Sequence, residues 1–182
     1  MEPSERSWKI FTIPNMISLF RLFLIAPIIY CVIQDERIYF YWAMGLIAVA
    51  IISDYVDGIL ARQLNQISEV GKILDPLADK IAVGALIIVL IIYKDFPLWA
   101  AGIIVGRDVL ILLAGLIWAS KYKFVQSSNM LGKWTVFFIS LMIVAYIIDI
   151  SILEKILTAV AVILTIISGM VYLQRFVRIL QG

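Results

Sequence analysis

Histidine is absent from this chain of 182 residues, and cysteine occurs once, at Cys31. The first absence removes the usual general base and the usual transition-metal ligand. The second excludes an intrachain disulfide and leaves packing as the role expected of Cys31. Charge is scarce too: charged residues make up 15% of the chain against 63% hydrophobic ones. A water-soluble fold needs a polar exterior that this composition cannot supply, so the chain reads as an integral membrane protein. Internal repeats, low-complexity tracts and long linkers are also missing, and residues 1–182 are expected to form one domain. No feature points to nucleic acid as a partner.

What is present is a series of apolar runs of the length that crosses a bilayer as a helix. Six are expected, at about 14–34, 38–62, 74–93, 97–119, 130–149 and 153–174, giving an all-α, polytopic membrane fold. Pro14 falls near the start of the first, where a missing N–H costs little. Residues 1–9 carry both charge signs with no small-residue cleavage pattern behind them, so the N-terminus is expected to remain in the mature protein. Trp8, Ile10 and Phe11 with Arg6 and Lys9 suggest a short interfacial segment, a disordered tail being the alternative.

Lysine and arginine in the short loops orient such a chain. With six helices both termini share a side, and that side collects nine basic residues (among them Arg62, Lys72, Lys133 and Arg175) against Arg37, Lys94 and Lys155 opposite. Both termini and the loop between the second and third helices are therefore expected on the cytoplasmic face of the cell's inner membrane. Tyr39, Tyr41, Trp42, Tyr93, Trp99, Trp118, Tyr122 and Trp134 near segment ends fit interfacial belts.

Four aspartates stand out against this background. Asp54 and Asp57 lie three apart near the end of the second segment, and Asp75 and Asp79 lie four apart near the start of the third. Both spacings put two side chains on one helix face, and antiparallel neighbours joined by a short loop bring such faces together. Carboxylates are expensive in a bilayer and mark a functional site by default. Four at one locus cannot all ionise unless cations neutralise them. Oxygen-only donors favour Mg²⁺, Mn²⁺ or Ca²⁺, and paired cations suit phosphoryl chemistry. Gly58 would let a ligand approach the helix backbone, and Ala61 would continue that shallow surface.

The full pattern, Asp-x2-Asp-Gly-x2-Ala-Arg-x8-Gly-x3-Asp-x3-Asp, resembles the signature of the CDP-alcohol phosphotransferases. All eight fixed positions are matched, by Asp54, Asp57, Gly58, Ala61, Arg62, Gly71, Asp75 and Asp79. The opening Ile13-Pro14-Asn15-Met16-Ile17-Ser18-x2-Arg21 and the six-segment layout are also similar to the phospholipid-synthesising branch. The resemblance implies that an alcohol hydroxyl attacks the lipid-side phosphorus of a CDP-linked lipid and CMP leaves. It implies that Asp54, Asp57 and Asp75 hold two divalent cations, Mg²⁺ or Mn²⁺, on the diphosphate. Asp79 would share the second cation and act as general base. Gly58 and Ala61 would lie against the cytidine, Arg62 would hold the active-site end of its helix, and Gly71 would start the next. Asn15 is a candidate ligand of metal or diphosphate, a helix cap being the alternative. A homodimer is also implied, with Gly84, Ala85 and Gly115 as small residues that permit close helix contact.

The acceptor is expected to carry a phosphate. A guanidinium inside an apolar helix needs an anionic partner or a wet cavity, and Arg107, Lys133 and Arg21 are candidates to bind that phosphate. The alternative for Arg107 is a structural pair with Asp108, and for Lys133 a snorkelling side chain. Gly106-Arg107-Asp108-Val109 and Gly132-Lys133-Trp134-Thr135 are most similar to members that make phosphatidylglycerol phosphate from CDP-diacylglycerol and glycerol 3-phosphate. Cardiolipin synthesis with phosphatidylglycerol as acceptor is the second reading. A divalent-cation carrier is a third, of another class, disfavoured because all four acids fall toward one membrane face.

Overall fold

In the computed structural model, backbone is described for residues 13–34, 36–64, 71–122 and 130–181, and side chains for residues 16, 19–34, 36–53, 77–113 and 130–174. The expected interfacial segment, Trp118 and Tyr122 as belt residues, and Gly115 lie outside the described residues or side chains. The described chain is six helices with no strand: α1 (Ile13–Gln34), α2 (Arg37–Leu64), α3 (Gly71–Tyr93), α4 (Leu98–Tyr122), α5 (Met130–Ile148) and α6 (Ser151–Gln181). Number, order and placement follow the apolar runs. Most ends lie close to those of the runs, but α6 extends well past its run to Gln181, because helical hydrogen bonding continues past the point where side chains turn polar. Among the described residues, Met130–Ile148 and Ser151–Gln174 are long and apolar enough to cross a membrane. Leu19–Gln34 and Arg37–Ser53 are shorter apolar helices.

The chain divides into two compact units, Met1–Val89 and Leu90–Gly182, with the division inside α3. In the first unit α1 packs on α2. Leu24, Ile25, Ile28, Cys31 and Val32 are buried along one side of α1, and Ala43 on α2 and Ala78 and Ile87 on α3 are buried too. Cys31 is a free thiol among these buried residues, as its expected packing role requires. Tyr30 and Tyr39 meet edge to face at 5.8 Å across the α1–α2 turn. Pro27 lies within α1, inside the expected 14–34 run. It removes one N–H from the ladder, and the side chain sits at an exposed position.

In the second unit α6 packs on both α4 and α5. Its buried face reads Thr158, Ala161, Val162, Thr165 and Ser168, the helical spacing of one continuous stripe. Small side chains there let neighbouring backbones come close. Each buried hydroxyl is satisfied: Thr165 donates to the Ala161 carbonyl at 2.7 Å, Thr135 to Leu131 at 2.8 Å, and Thr158 to the Tyr146 Oη at 3.4 Å. Two turns of this unit, among the described residues, are made by aspartates in the left-handed region, Asp95 (φ 52°) and Asp149 (φ 63°). After Asp149 the Ile150 N–H returns to the Ala145 carbonyl, closing the α5 end. Pro97 caps α4, its carbonyl accepting from Ala100 and Ala101. Lys94 reaches Asp149 at 4.0 Å, and Phe96 packs edge to face on Tyr146.

The exterior is apolar. Phe23 (75% exposed), Leu98 (74%) and Ile152 (72%) are open, and so are the belt residues Tyr41, Trp42, Tyr93, Trp99 and Trp134.

Candidate active site

The aspartates fall on helix as their spacing requires: Asp54 and Asp57 in the last three turns of α2, Asp75 and Asp79 in the opening turns of α3, which begins at Gly71. The side chains of Asp54, Asp57, Ala61, Arg62, Asp75 and Asn15, and the surroundings of Gly58 and Gly71, lie outside those described. The described part of the constellation is Asp79. Its carboxylate is 58% exposed, and Arg21 Nη1 on α1 donates to its Oδ1 at 3.0 Å. Ala78 beside it is buried while Leu77 and Asp79 are open, so α3 turns its carboxylate away from the packed side.

Arg21 thus joins α1 to the aspartate helix. Its guanidinium is 16% exposed, and its described partner is a carboxylate of the aspartate set. The donor chemistry suits hard cations. The chain has no histidine, its one cysteine is buried in α1, and Asp79 keeps more than half its surface open for further ligation.

The second cluster lies around Arg107 in α4, which is 9% exposed. Nη1 donates to Asp108 Oδ1 at 2.6 Å and Nη2 to Ser168 Oγ on α6 at 2.6 Å. Consecutive helix residues point in different directions, so the arginine must fold across its own helix to meet Asp108. The Tyr172 ring lies under the guanidinium, 5.7 Å from centroid to Cζ. Nε is buried and has no hydrogen-bond partner among the described residues. A Cβ on Gly132 of α5 would stand 3.7 Å from Nη2 and 3.6 Å from Tyr172 Oη. The α5 backbone therefore passes directly beside the fork, and Lys133, the next residue, is exposed. Of the three expected acceptor cations, Arg107 and Lys133 belong to the second compact unit and Arg21 to the first.

The structural alternative for Arg107, a pair with Asp108, is present, yet it occupies only one of five guanidinium N–H groups. Ser168 and Tyr172 were not foreseen. Polar residues at helical spacing in an apolar segment were the available signal, but that signal does not say which helix they face.

Residues 11–167 match the model of the CDP-alcohol phosphatidyltransferase family. A CDP-diacylglycerol–glycerol-3-phosphate 3-phosphatidyltransferase of Aquifex aeolicus is 32% identical over 172 residues, covering 88% of this chain and 93% of the relative. The Bacillus subtilis protein of the same name is 36% identical over 136 residues, 68% of this chain and 69% of the relative. A probable CMP-forming cardiolipin synthase of Drosophila melanogaster is 41% identical over 117 residues, 64% of this chain. The chain spans about a third of that fly protein, 35% of its length.

Proposed function

Because the chain belongs to the CDP-alcohol phosphatidyltransferase family, we propose that it moves the phosphatidyl group of CDP-diacylglycerol to glycerol 3-phosphate, with release of CMP. The observation that carries this reading is the complete set of eight motif positions, spread over the end of α2 and the start of α3, which follow each other in the chain. Correspondence along nearly the whole length of the Aquifex transferase supports glycerol 3-phosphate as acceptor. The higher identity to the fly protein over a shorter stretch favours a second reading, phosphatidylglycerol as acceptor and cardiolipin as product.

Asp54, Asp57, Asp75 and Asp79 are the residues that would hold two divalent cations, Mg²⁺ or Mn²⁺. When bound, the cations offset the charge of the diphosphate and of the leaving CMP. Asp79 takes the proton of the acceptor hydroxyl as its oxygen bonds to the lipid-side phosphorus and the bond to CMP breaks. A base must stand within hydrogen-bond reach of that hydroxyl, and the exposure of Asp79 leaves room for one. Arg21 steadies that carboxylate from α1. Asn15, Gly58, Ala61, Arg62 and Gly71 line the CDP-lipid side. Arg107, with Lys133, binds the phosphate of the acceptor.

The enzyme sits in the membrane with all six helices crossing it and with the site on the cytoplasmic face. The open apolar side chains of the helices support this, since lipid is the solvent that accepts them. It works as a homodimer, for which Gly84 on α3 offers a surface with no heavy atom within 4 Å of an added Cβ.

The test is CMP release by purified protein with CDP-diacylglycerol, Mg²⁺ or Mn²⁺, and a panel of acceptors. Release with glycerol 3-phosphate supports the first reading, release with phosphatidylglycerol alone supports the second, and release with no acceptor sinks both. Arg107→Ala should raise the KM of the acceptor by about tenfold or more and that of the CDP-lipid little. Equal effects on both would remove Arg107 from the acceptor site.

A further inference from the structure

Arg107 is held by more than its neighbour on α4. A phosphate-binding arginine must present two N–H groups in a fixed plane, and a long flexible side chain loses affinity when binding has to order it. Here the order is built in. Ser168, 1% exposed, accepts from Nη2 at 2.6 Å, Asp108 accepts from Nη1 at 2.6 Å, and Tyr172 lies against one face of the guanidinium. Gly169 brings the α6 backbone to the stem, where a Cβ would stand 3.6 Å from Arg107 Cγ. Asp108 moves with α4, so it cannot set the fork relative to another helix. Ser168 lies 61 residues away on α6 and can. It is also neutral, so it holds the fork without repelling an anion that shares it. Two of five N–H groups are used, and the buried Nε is among the three left over.

We infer that Ser168 is a positioning residue of the acceptor site: its hydroxyl sets the plane of the Arg107 fork for the phosphate of the incoming alcohol. The inference rests on the assignment of Arg107 to that phosphate. It makes α6 a wall of the acceptor pocket, and it predicts a defect specific to the acceptor rather than to the CDP-lipid.

The experiment compares Ser168→Ala, Ser168→Thr, Arg107→Ala and the Ser168→Ala/Arg107→Ala double variant in CMP-release kinetics. Each is assayed with glycerol 3-phosphate and with phosphatidylglycerol, varying acceptor and CDP-diacylglycerol in turn. Ser168→Ala should raise acceptor KM about tenfold, the worth of one hydrogen bond to a charged group. Its KM for the CDP-lipid should stay within about twofold. Ser168→Thr, which keeps the hydroxyl, should recover most of the loss, and Ser168→Ala should add nothing once Arg107 is alanine. An independent readout is thermal protection in detergent: inorganic phosphate should raise the melting temperature of the unmodified protein and not of Ser168→Ala. Unchanged acceptor KM in Ser168→Ala alongside a raised one in Arg107→Ala would overturn the inference while leaving the acceptor site in place. So would a rise in both KM values together, or a Ser168→Ala effect that persists without Arg107. If Arg107→Ala itself spares the acceptor KM, the acceptor assignment is what fails.

Discussion

The pairing of Arg21 with Asp79 separates a structural role from a catalytic one by magnitude. Replace Arg21 by methionine, which keeps an unbranched apolar stem and deletes the charge. The ion pair is 3.0 Å long, but Asp79 is 58% exposed, so water and salt screen it. Pairs of that kind contribute about 0–1 kcal/mol to stability. For a chain of this size that is a fall in melting temperature of at most about 2–4 °C. Against a total stability of about 5–15 kcal/mol such a loss leaves the folded fraction unchanged. The effect on chemistry is of another order. A base whose carboxylate is no longer held can lose about 10²-fold in rate from misplacement of the order of 1 Å. Arg21→Met should therefore reduce kcat by about 10- to 100-fold at saturating substrates, with melting shifted by only a few degrees. The assay is CMP release by protein in detergent, with melting followed on the same samples. A kcat within about twofold of the unmodified enzyme would refute the orienting role. If acceptor KM rises and kcat does not, Arg21 belongs on the acceptor phosphate with Arg107 and Lys133.

Asp79→Asn keeps the side-chain shape and removes the proton acceptor, so kcat should fall by about 10²–10⁴, while loss of the Arg21 ion pair shifts melting by only a few degrees; turnover near the unmodified rate would rule out Asp79 as the base. Treatment with EDTA should abolish CMP release and added Mg²⁺ or Mn²⁺ should restore it, whereas activity that survives chelation would contradict the carboxylate-held cations. Gly132→Ala places its Cβ at ordinary contact distances, 3.6 Å from Tyr172 Oη and 3.7 Å from Arg107 Nη2. It should leave melting unchanged or raise it, since alanine gains about 1 kcal/mol over glycine in a helix. Gly132→Leu extends into the fork and should raise acceptor KM by about tenfold or more. Identical kinetics for the two variants would show that the space beside Arg107 is not used.

Helix number and order could be read from the chain because they are local properties: each apolar run satisfies its own backbone within a few residues. The aspartate spacings were readable for the same reason, since 3.6 residues per turn fixes which side chains share a face once the segment is helical. Helix ends were less so. Apolar runs report which residues meet an apolar surrounding, and hydrogen bonding carries α6 on to Gln181, whereas the start of α3 at Gly71 was legible from the motif. The turns at Asp95 and Asp149 fall at the breaks between apolar runs, and aspartate is one of the few residue types besides glycine that visits the left-handed region.

By itself, then, the sequence determined six helices and the placing of four carboxylates on two of them, and it pointed to a hard-cation, phosphoryl chemistry, all from short-range spacing and side-chain type. Only the tertiary structure decided which partners Arg21 and Arg107 meet. Arg21 finds Asp79 across 58 residues, and Arg107 finds Ser168 across 61. Contacts made by packing one helix against another depend on how the helices are rotated and stacked, and that leaves no periodic trace along the chain.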